Sequence, residues 1–238
     1  TEIYTLSLHD ALRSPAGKPL NFASFIDSTC LSPVATEQEI EALCVQALKY
    51  KQACVCVNPY RVPQCRDCLR GSEVKTATVI AFPSGAETVN TKLLLSQSAL
   101  DLGAQELDVV VNQGAVKDNG YILVEREIEA LVNLKARHSF ILKLIVDTAS
   151  LNQQEIIRLT HIIGNAGADF IKTSTGYGAR GVSLEDIQII AAHKPGDLKI
   201  KASGGIRSLD FALQLIAAEA RSEEHTSELQ SPSLISYA

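Results

Sequence analysis

Asp169–Gly176 reads DFIKTSTG, and Lys199–Ile206 reads KIKASGGI. In each, a short apolar stretch runs into a lysine, Lys172 or Lys201, and then into a glycine-containing turn. A lysine near the end of a buried strand is costly unless it is paired or used. Two of them, each on its own strand–turn–helix unit, suggest one site lined by two ammonium groups. Like charges in a closed pocket lower one another's pKa and free a neutral amine. A neutral amine is what Schiff-base chemistry on a carbonyl needs.

The same pattern repeats outward from these two units. Candidate strands are Ser24–Leu31, Ala53–Asn58, Lys75–Phe82, Glu106–Asn112, Phe140–Val146, Asp169–Thr173 and Leu198–Ser203. Most are nearly continuous in Val and Ile, as strands covered on both faces should be. Between them lie amphipathic segments: Thr36–Tyr50, Thr88–Leu102, Tyr121–Arg137, Asn152–Ala166, Ser183–His193 and Ser208–Ala218. Thr36 with Glu39, and the SLED that starts at Ser183, predict capping boxes, and Ser208 predicts a cap. Loops are short, which favours one domain. Seven such units predict a parallel α/β fold of the (β/α)8 TIM-barrel class, with function gathered at the C-terminal strand ends. A doubly wound open sheet would carry G-x-G-x-x-G after its first strand, and the sequence has none there.

Composition excludes several function classes. The 238 residues are 46% hydrophobic and 21% charged, with a net charge of −5. That mildly acidic balance argues against a nucleic-acid or anionic-membrane partner. No apolar run approaches the ~18 residues of a membrane span, and no signal-peptide core is visible, so a cytoplasmic site is expected. The six cysteines, at 30, 44, 54, 56, 65 and 68, include Cys54-x-Cys56 and Cys65-x-x-Cys68. A zinc module is the alternative they raise, but no histidine lies near. The expectation is reduced, mostly buried thiols and no metal.

IDSTCLSPVAT (26–36), ATVIAFPSG (77–85), ELDVVVNQGA (106–115), DFIKTSTG and KASGGIRSL (201–209) together resemble the deoxyribose-phosphate aldolases. These are class I aldolases on a (β/α)8 barrel. The similarity runs in order from Phe25 to Ala218. It implies reversible cleavage of the phosphosugar 2-deoxyribose 5-phosphate to acetaldehyde and glyceraldehyde 3-phosphate, with no metal or organic cofactor. By motif match Lys172 is the Schiff-base nucleophile, Lys201 tunes it and shuttles protons, and Asp108 is the third catalytic residue. Asp108 is also a lone carboxylate in a Val-rich strand, so its burial requires a cationic partner. The turns holding Thr173, Gly176, Gly204 and Gly205 are candidates to bind the phosphate through backbone N–H groups, with Arg207 nearby. Lys143 and Asp147 flank the fifth strand, where they either line the pocket or simply pair. Cys56 matches a pocket cysteine of some members, and a buried structural thiol is the plainer reading. Asp27 lies where the family carries Asp-His-Thr-Leu-Leu-Lys, but Ser28 and Ser32 replace the His and Lys. A homo-oligomer fits the resemblance, although no interface can be read from the sequence.

The two ends read differently. TEIYTLSLHDAL (1–12) and RSEEHTSELQS (221–231) resemble conceptual translations of the paired adapters used in short-read sequencing. Residues 1–14 and 221–238 are therefore expected to be non-native extensions of a 15–220 barrel domain. On that reading the barrel is incomplete, its eighth strand and phosphate-binding turn missing, and its activity and stability suffer. The alternative function is a catalytically silent fragment or phosphosugar-binding barrel. A transaldolase-like or dehydratase-like Schiff-base barrel is less consistent with the paired lysine motifs.

Overall fold

Local chemistry fixes most of the helix starts. The computed structural model describes residues 22–218 and 224–225. Helix α1 (Glu37–Tyr50) opens on a capping box in which the Thr36 side chain accepts from the Glu39 N–H. Helix α2 (Val62–Cys68) is short, and α3 (Val89–Asp101) is capped by Thr88. Helices α4 (Gln113–Lys117) and α5 (Tyr121–Asn133) follow, and α6 (Gln153–Ala166) has an Asn152–Glu155 capping box. Helix α7 (Leu184–His193) has the Ser183–Asp186 box, and α8 (Leu209–Ala217) is capped by Ser208. Each cap satisfies amide donors that a helix start leaves without partners.

Seven parallel strands alternate with these helices: β1 (Asp27–Cys30), β2 (Cys54–Val57), β3 (Lys75–Ile80), β4 (Glu106–Val110), β5 (Ile141–Ile145), β6 (Phe170–Lys172) and β7 (Lys199–Lys201). Each pairs with its neighbours in sequence order. The first strand is shorter than its sequence predicts. Phe22–Phe25 forms a 3₁₀ turn, closed by Ile26 N–H on the Ala23 carbonyl at 3.0 Å, so β1 begins at Asp27.

Side-chain alternation divides the strands between two cores. Val55, Val57, Leu107, Val109, Leu142, Leu144, Ile171 and Ile200 face the helices and join the main apolar core. On the opposite face Cys54, Cys56, Ala77 and Val79 form a small inner cluster. The remaining inward positions, on β1 and β4–β7, carry the ionic residues Asp27, Glu106, Asp108, Lys143, Lys172 and Lys201 alongside Thr29, Val110, Ile145 and Phe170. The sheet curls far enough for Lys201 on β7 to contact Asp27 on β1.

The sequence predicts no strand after Ala220, yet Glu224–His225 runs parallel beside β1, paired with Asp27 and Ser28. An open strand edge presents unpaired amide groups that any extended segment can meet. Among the described residues no ladder joins β7 to this pair, and the barrel is not closed by hydrogen bonds. Otherwise the expected extensions, 1–14 and 221–238, lie outside the described residues.

Candidate active site

Register sets the site. Asp108 on β4 pairs with Lys143 on β5, which pairs with Phe170 on β6, and two residues along Lys172 pairs with Lys201 on β7. Inward-pointing side chains at these levels converge inside the curled sheet. Asp27, Asp108, Lys143 and Lys201 are fully buried, and Lys172 is 2% exposed. Three carboxylates (Asp27, Glu106, Asp108) thus meet three ammonium groups (Lys143, Lys172, Lys201). Such burial is tolerable only because the charges balance and bond to one another.

The contacts are specific. Lys172 Nζ donates to Asp108 Oδ2 at 2.8 Å, and Lys201 Nζ reaches the same oxygen at 3.3 Å. Lys201 also bonds Asp27 Oδ2. Lys143 Nζ lies 2.6 Å from both Asp27 Oδ2 and Glu106 Oε2, and 4.0 Å from Asp108 Oδ1. Asp108 Oδ1 and Asp27 Oδ1 are buried with no hydrogen-bond partner among the described residues. Burial alone would push the Asp108 carboxyl up, but Lys172, Lys201 and Lys143 together hold it below the usual carboxylate range. Asp27 is likewise held low, by Lys143 and Lys201 against the effect of burial. At Glu106 burial wins over Lys143 and the carboxyl is pushed up. Lys143, despite burial, is held far above the usual lysine value by Asp27 and Glu106.

The sequence brings Lys172, Lys201 and Asp108 forward, and the fold places all three in one cluster. The carboxylate stands between the two lysine nitrogens and moderates the repulsion between their charges. Lys143 belongs to this network, while Asp147 does not. Asp147 instead accepts from Thr175 N–H at 3.1 Å and holds the loop after β6. Asp27 and Glu106 were not selected from sequence as site residues. The signal available for them was a charged side chain inside an otherwise apolar buried strand.

Asp27, Cys54 and Glu106 also present ligand atoms within 4.8 Å of one another, the geometry of a metal cage. Here Lys143 already neutralises both carboxylates at contact distance, and burial pushes the Cys54 thiol well up. A divalent ion would have to displace that ammonium and deprotonate the thiol.

Beyond the lysines, the strand ends carry the two glycine turns. Gly176, Gly204 and Gly205 have φ of +85°, +80° and +75°, a region costly for other residues. Thr173 is spent on β7: its N–H bonds the Lys201 carbonyl at 3.0 Å and its hydroxyl the Ser203 carbonyl at 3.3 Å. It therefore holds the two turns together. Gly181, not singled out from sequence, backs directly onto this turn; a Cβ there would lie 2.1 Å from the Gly204 carbonyl oxygen. Phe82, after β3, and Tyr177, after β6, meet edge to face at 5.5 Å on the same side of the sheet. A groove of about 370 Å³ between α5 and α6, lined by Glu125, Glu129, Arg158 and His161, lies away from these strand ends.

A pair of amines sharing one ionised carboxylate in a dry interior can add to a carbonyl and move the protons of that addition. Known proteins agree. Residues 24–223 match the DeoC/LacD family aldolase model. The chain is 43% identical over 199 residues to the deoxyribose-phosphate aldolase of Caldicellulosiruptor saccharolyticus, covering 83% of this chain and 90% of that one. It is 41% identical over 201 residues to the enzyme of the same name from Clostridium tetani, covering 84% and 93%. In structure it is similar to the tetrameric deoxyribose phosphate aldolase of Aeropyrum pernix, with a TM-score of 0.80, 31% identity and 91% of each chain covered. With the matched region spanning β1 to β7 and all three lysines, the chain belongs to the DeoC/LacD aldolase family.

Proposed function

We propose that this protein is a class I deoxyribose-phosphate aldolase, which cleaves 2-deoxyribose 5-phosphate reversibly to acetaldehyde and glyceraldehyde 3-phosphate. The observation that carries the proposal is the shared Asp108 oxygen, with Lys172 at 2.8 Å and Lys201 at 3.3 Å. Neutral Lys172 attacks the C1 aldehyde of the open-chain sugar. Lys201, on the same carboxylate, is the proton donor within reach, and it lets the carbinolamine hydroxyl leave as water. The resulting iminium is the electron sink. The C2–C3 bond then breaks as Lys201, left neutral by that donation, takes the proton of the C3 hydroxyl, which it later returns to C2 of the enamine. Glyceraldehyde 3-phosphate departs and an enamine stays on Lys172. Protonation at C2 and hydrolysis release acetaldehyde and restore the amine. Asp108 stays ionised throughout, and holds the Lys172 nitrogen and the Lys201 ammonium in place. The protonated imine provides the electron withdrawal that a Lewis acid gives elsewhere, so the proposed steps call for no metal or cofactor.

We propose that the phosphate binds at the Gly204–Gly205 turn and Gly176; their left-handed backbone, which lets amides approach an anion closely, supports this. Thr173 contributes by holding that turn to β6. A homo-oligomer in the cytoplasm fits this reading. The tetrameric relative supports the first part. Among the described residues no helix is long and apolar enough to cross a membrane. We further propose that 15–220 is the catalytic unit and that 1–14 and 221–238 contribute nothing to the chemistry.

The test is turnover. 2-Deoxyribose 5-phosphate should yield glyceraldehyde 3-phosphate in a coupled assay, and Lys172→Ala should abolish it. The unphosphorylated sugar should be a poorer substrate through KM. A folded wild-type chain that binds the phosphosugar without turnover would favour the silent phosphosugar-binding barrel.

A further inference from the structure

Two rings meet over the C-terminal ends of the strands. Phe82 follows β3 and Tyr177 follows β6, and their centroids stand 5.5 Å apart with the planes at 82°. In the sheet, β4 and β5 lie between those two strands. Phe82 packs on the inner cluster of Cys54, Cys56, Ala77 and Val79, so the contact crosses the inside of the curl and not its outer face. It therefore bridges the mouth of the barrel. The space beneath it is the one into which Asp108 and Lys172 project. The backbone that carries Tyr177 is fastened on both sides. Before it, Thr175 donates its N–H and its hydroxyl to Asp147 Oδ1, at 3.1 and 3.3 Å, and Thr175 Oγ1 accepts from Tyr177 N–H at 3.1 Å. After it, Gly178 lies so near Asp147 that a Cβ there would be 2.7 Å from Oδ2. Tyr177 itself is 65% exposed. What can yield is the ring, which swings on its own side-chain bonds while the loop stays in place.

We propose that Tyr177, braced on Phe82, selects the aldehydes that reach Lys172. An unbranched chain passes beside the ring, and an aldehyde that carries a bulky group must push the ring aside. The inference rests on the aldolase reading and adds to it a limit on substrate width. The open-chain phosphosugar of that reading is unbranched and meets the limit. Neither ring carries a group that the proposed steps use, so the selection acts on entry and leaves the bond-breaking steps to the lysines. Displacing one ring from an edge-to-face pair slows a wide aldehyde about fivefold.

The test is a competition on the full chain. Acetaldehyde and 3-phenylpropanal at equal concentration are trapped together with cyanoborohydride, and mass spectrometry gives the ratio of the two adducts on the Lys172 peptide. Wild type should carry mostly the ethyl adduct. Tyr177→Ala should shift the ratio about fivefold toward the phenylpropyl adduct. Tyr177→Phe, which keeps the ring, should match wild type. Phe82→Leu leaves an apolar side chain on the inner cluster but removes the brace, and should shift the ratio in the same direction as Tyr177→Ala. The two variants act on opposite sides of the contact, so a misfolded one leaves the other to decide. An unchanged ratio in either folded variant, or a shift in Tyr177→Phe as large as that in Tyr177→Ala, overturns the proposal. A folded wild-type chain that traps neither aldehyde on Lys172 overturns the aldolase reading, and the selection with it.

Discussion

Lys143→Met isolates what the buried ionic network contributes. The lysine is fully buried and touches two carboxylates, Asp27 and Glu106, each at 2.6 Å. Methionine fills a similar volume without the charge, so the main change is electrostatic. Three carboxylates then face two ammonium groups in a dry interior. Removing one partner of a buried pair costs about 3–5 kcal/mol, because the other charge stays buried and uncompensated. Against a total stability of roughly 5–15 kcal/mol, that leaves a marginal fold. Adding Glu106→Gln removes the orphaned charge, so the double variant should be more stable than Lys143→Met alone by about 2 kcal/mol, within the coupling range of contacting residues. Urea unfolding followed by circular dichroism measures all four corners of this cycle. A further signature is the pH dependence. Glu106 already sits above the usual carboxylate range, and losing Lys143 pushes it higher still. A raised carboxyl favours the folded state at low pH and loses that advantage as pH rises through its folded pKa. The penalty for Lys143→Met should therefore be larger at pH 8 than at pH 5. A loss under about 1 kcal/mol, or a double variant whose cost is the plain sum of the singles, would refute the charge-balance argument.

Other outcomes follow from the same geometry. Asp27 and Asp108 are held below 3.8, so their contribution is complete above that value and is lost as pH falls through their lower folded values. Lys143 is held above 10.5, so its contribution is complete below that value and is lost as pH rises beyond it. Unfolding midpoints measured across pH should accordingly fall off at the acid and alkaline ends, with Glu106 offsetting part of the gain above 4.5. Gly181→Ala drives a Cβ to 2.1 Å from the Gly204 carbonyl and must shift the turn. KM for the phosphorylated sugar should rise about tenfold, roughly one lost hydrogen bond, while reaction with acetaldehyde, which has no phosphate, is unchanged. Outside the barrel, Lys92 lies at 2.8 Å from Glu127 and donates to the Val110 carbonyl at 2.7 Å, both at full burial. Lys92→Met should cost about 3–5 kcal/mol in urea unfolding, again because a buried charge loses its partner.

What the sequence revealed follows the range of the forces involved. The capping boxes at Thr36 and Ser183 are read from residues three apart, and both form as expected. The strands are legible because burial on both faces leaves them apolar. Charged members such as Asp108, Lys143, Lys172 and Lys201 stand out for the same reason. Which charges meet is another matter. The contact of Lys201 with Asp27 joins the last of the seven main strands to the first, and it depends on how far the sheet curls. No local pattern carries that information. The support of the Gly204 turn by Gly181 is equally invisible, since a glycine required by space looks like any loop glycine. The pairing of Glu224–His225 with β1 arises from an open edge and involves no apolar periodicity.

The central claim is that Lys172 forms the Schiff base with help from Lys201. Reduction with borohydride in the presence of acetaldehyde, followed by peptide mass mapping, tests it most directly. The account predicts a reduced ethyl adduct on Lys172, absent in Lys172→Ala and slower to form in Lys201→Leu. An adduct on Lys201 or Lys143 in place of Lys172, or a folded chain that traps none, would contradict it.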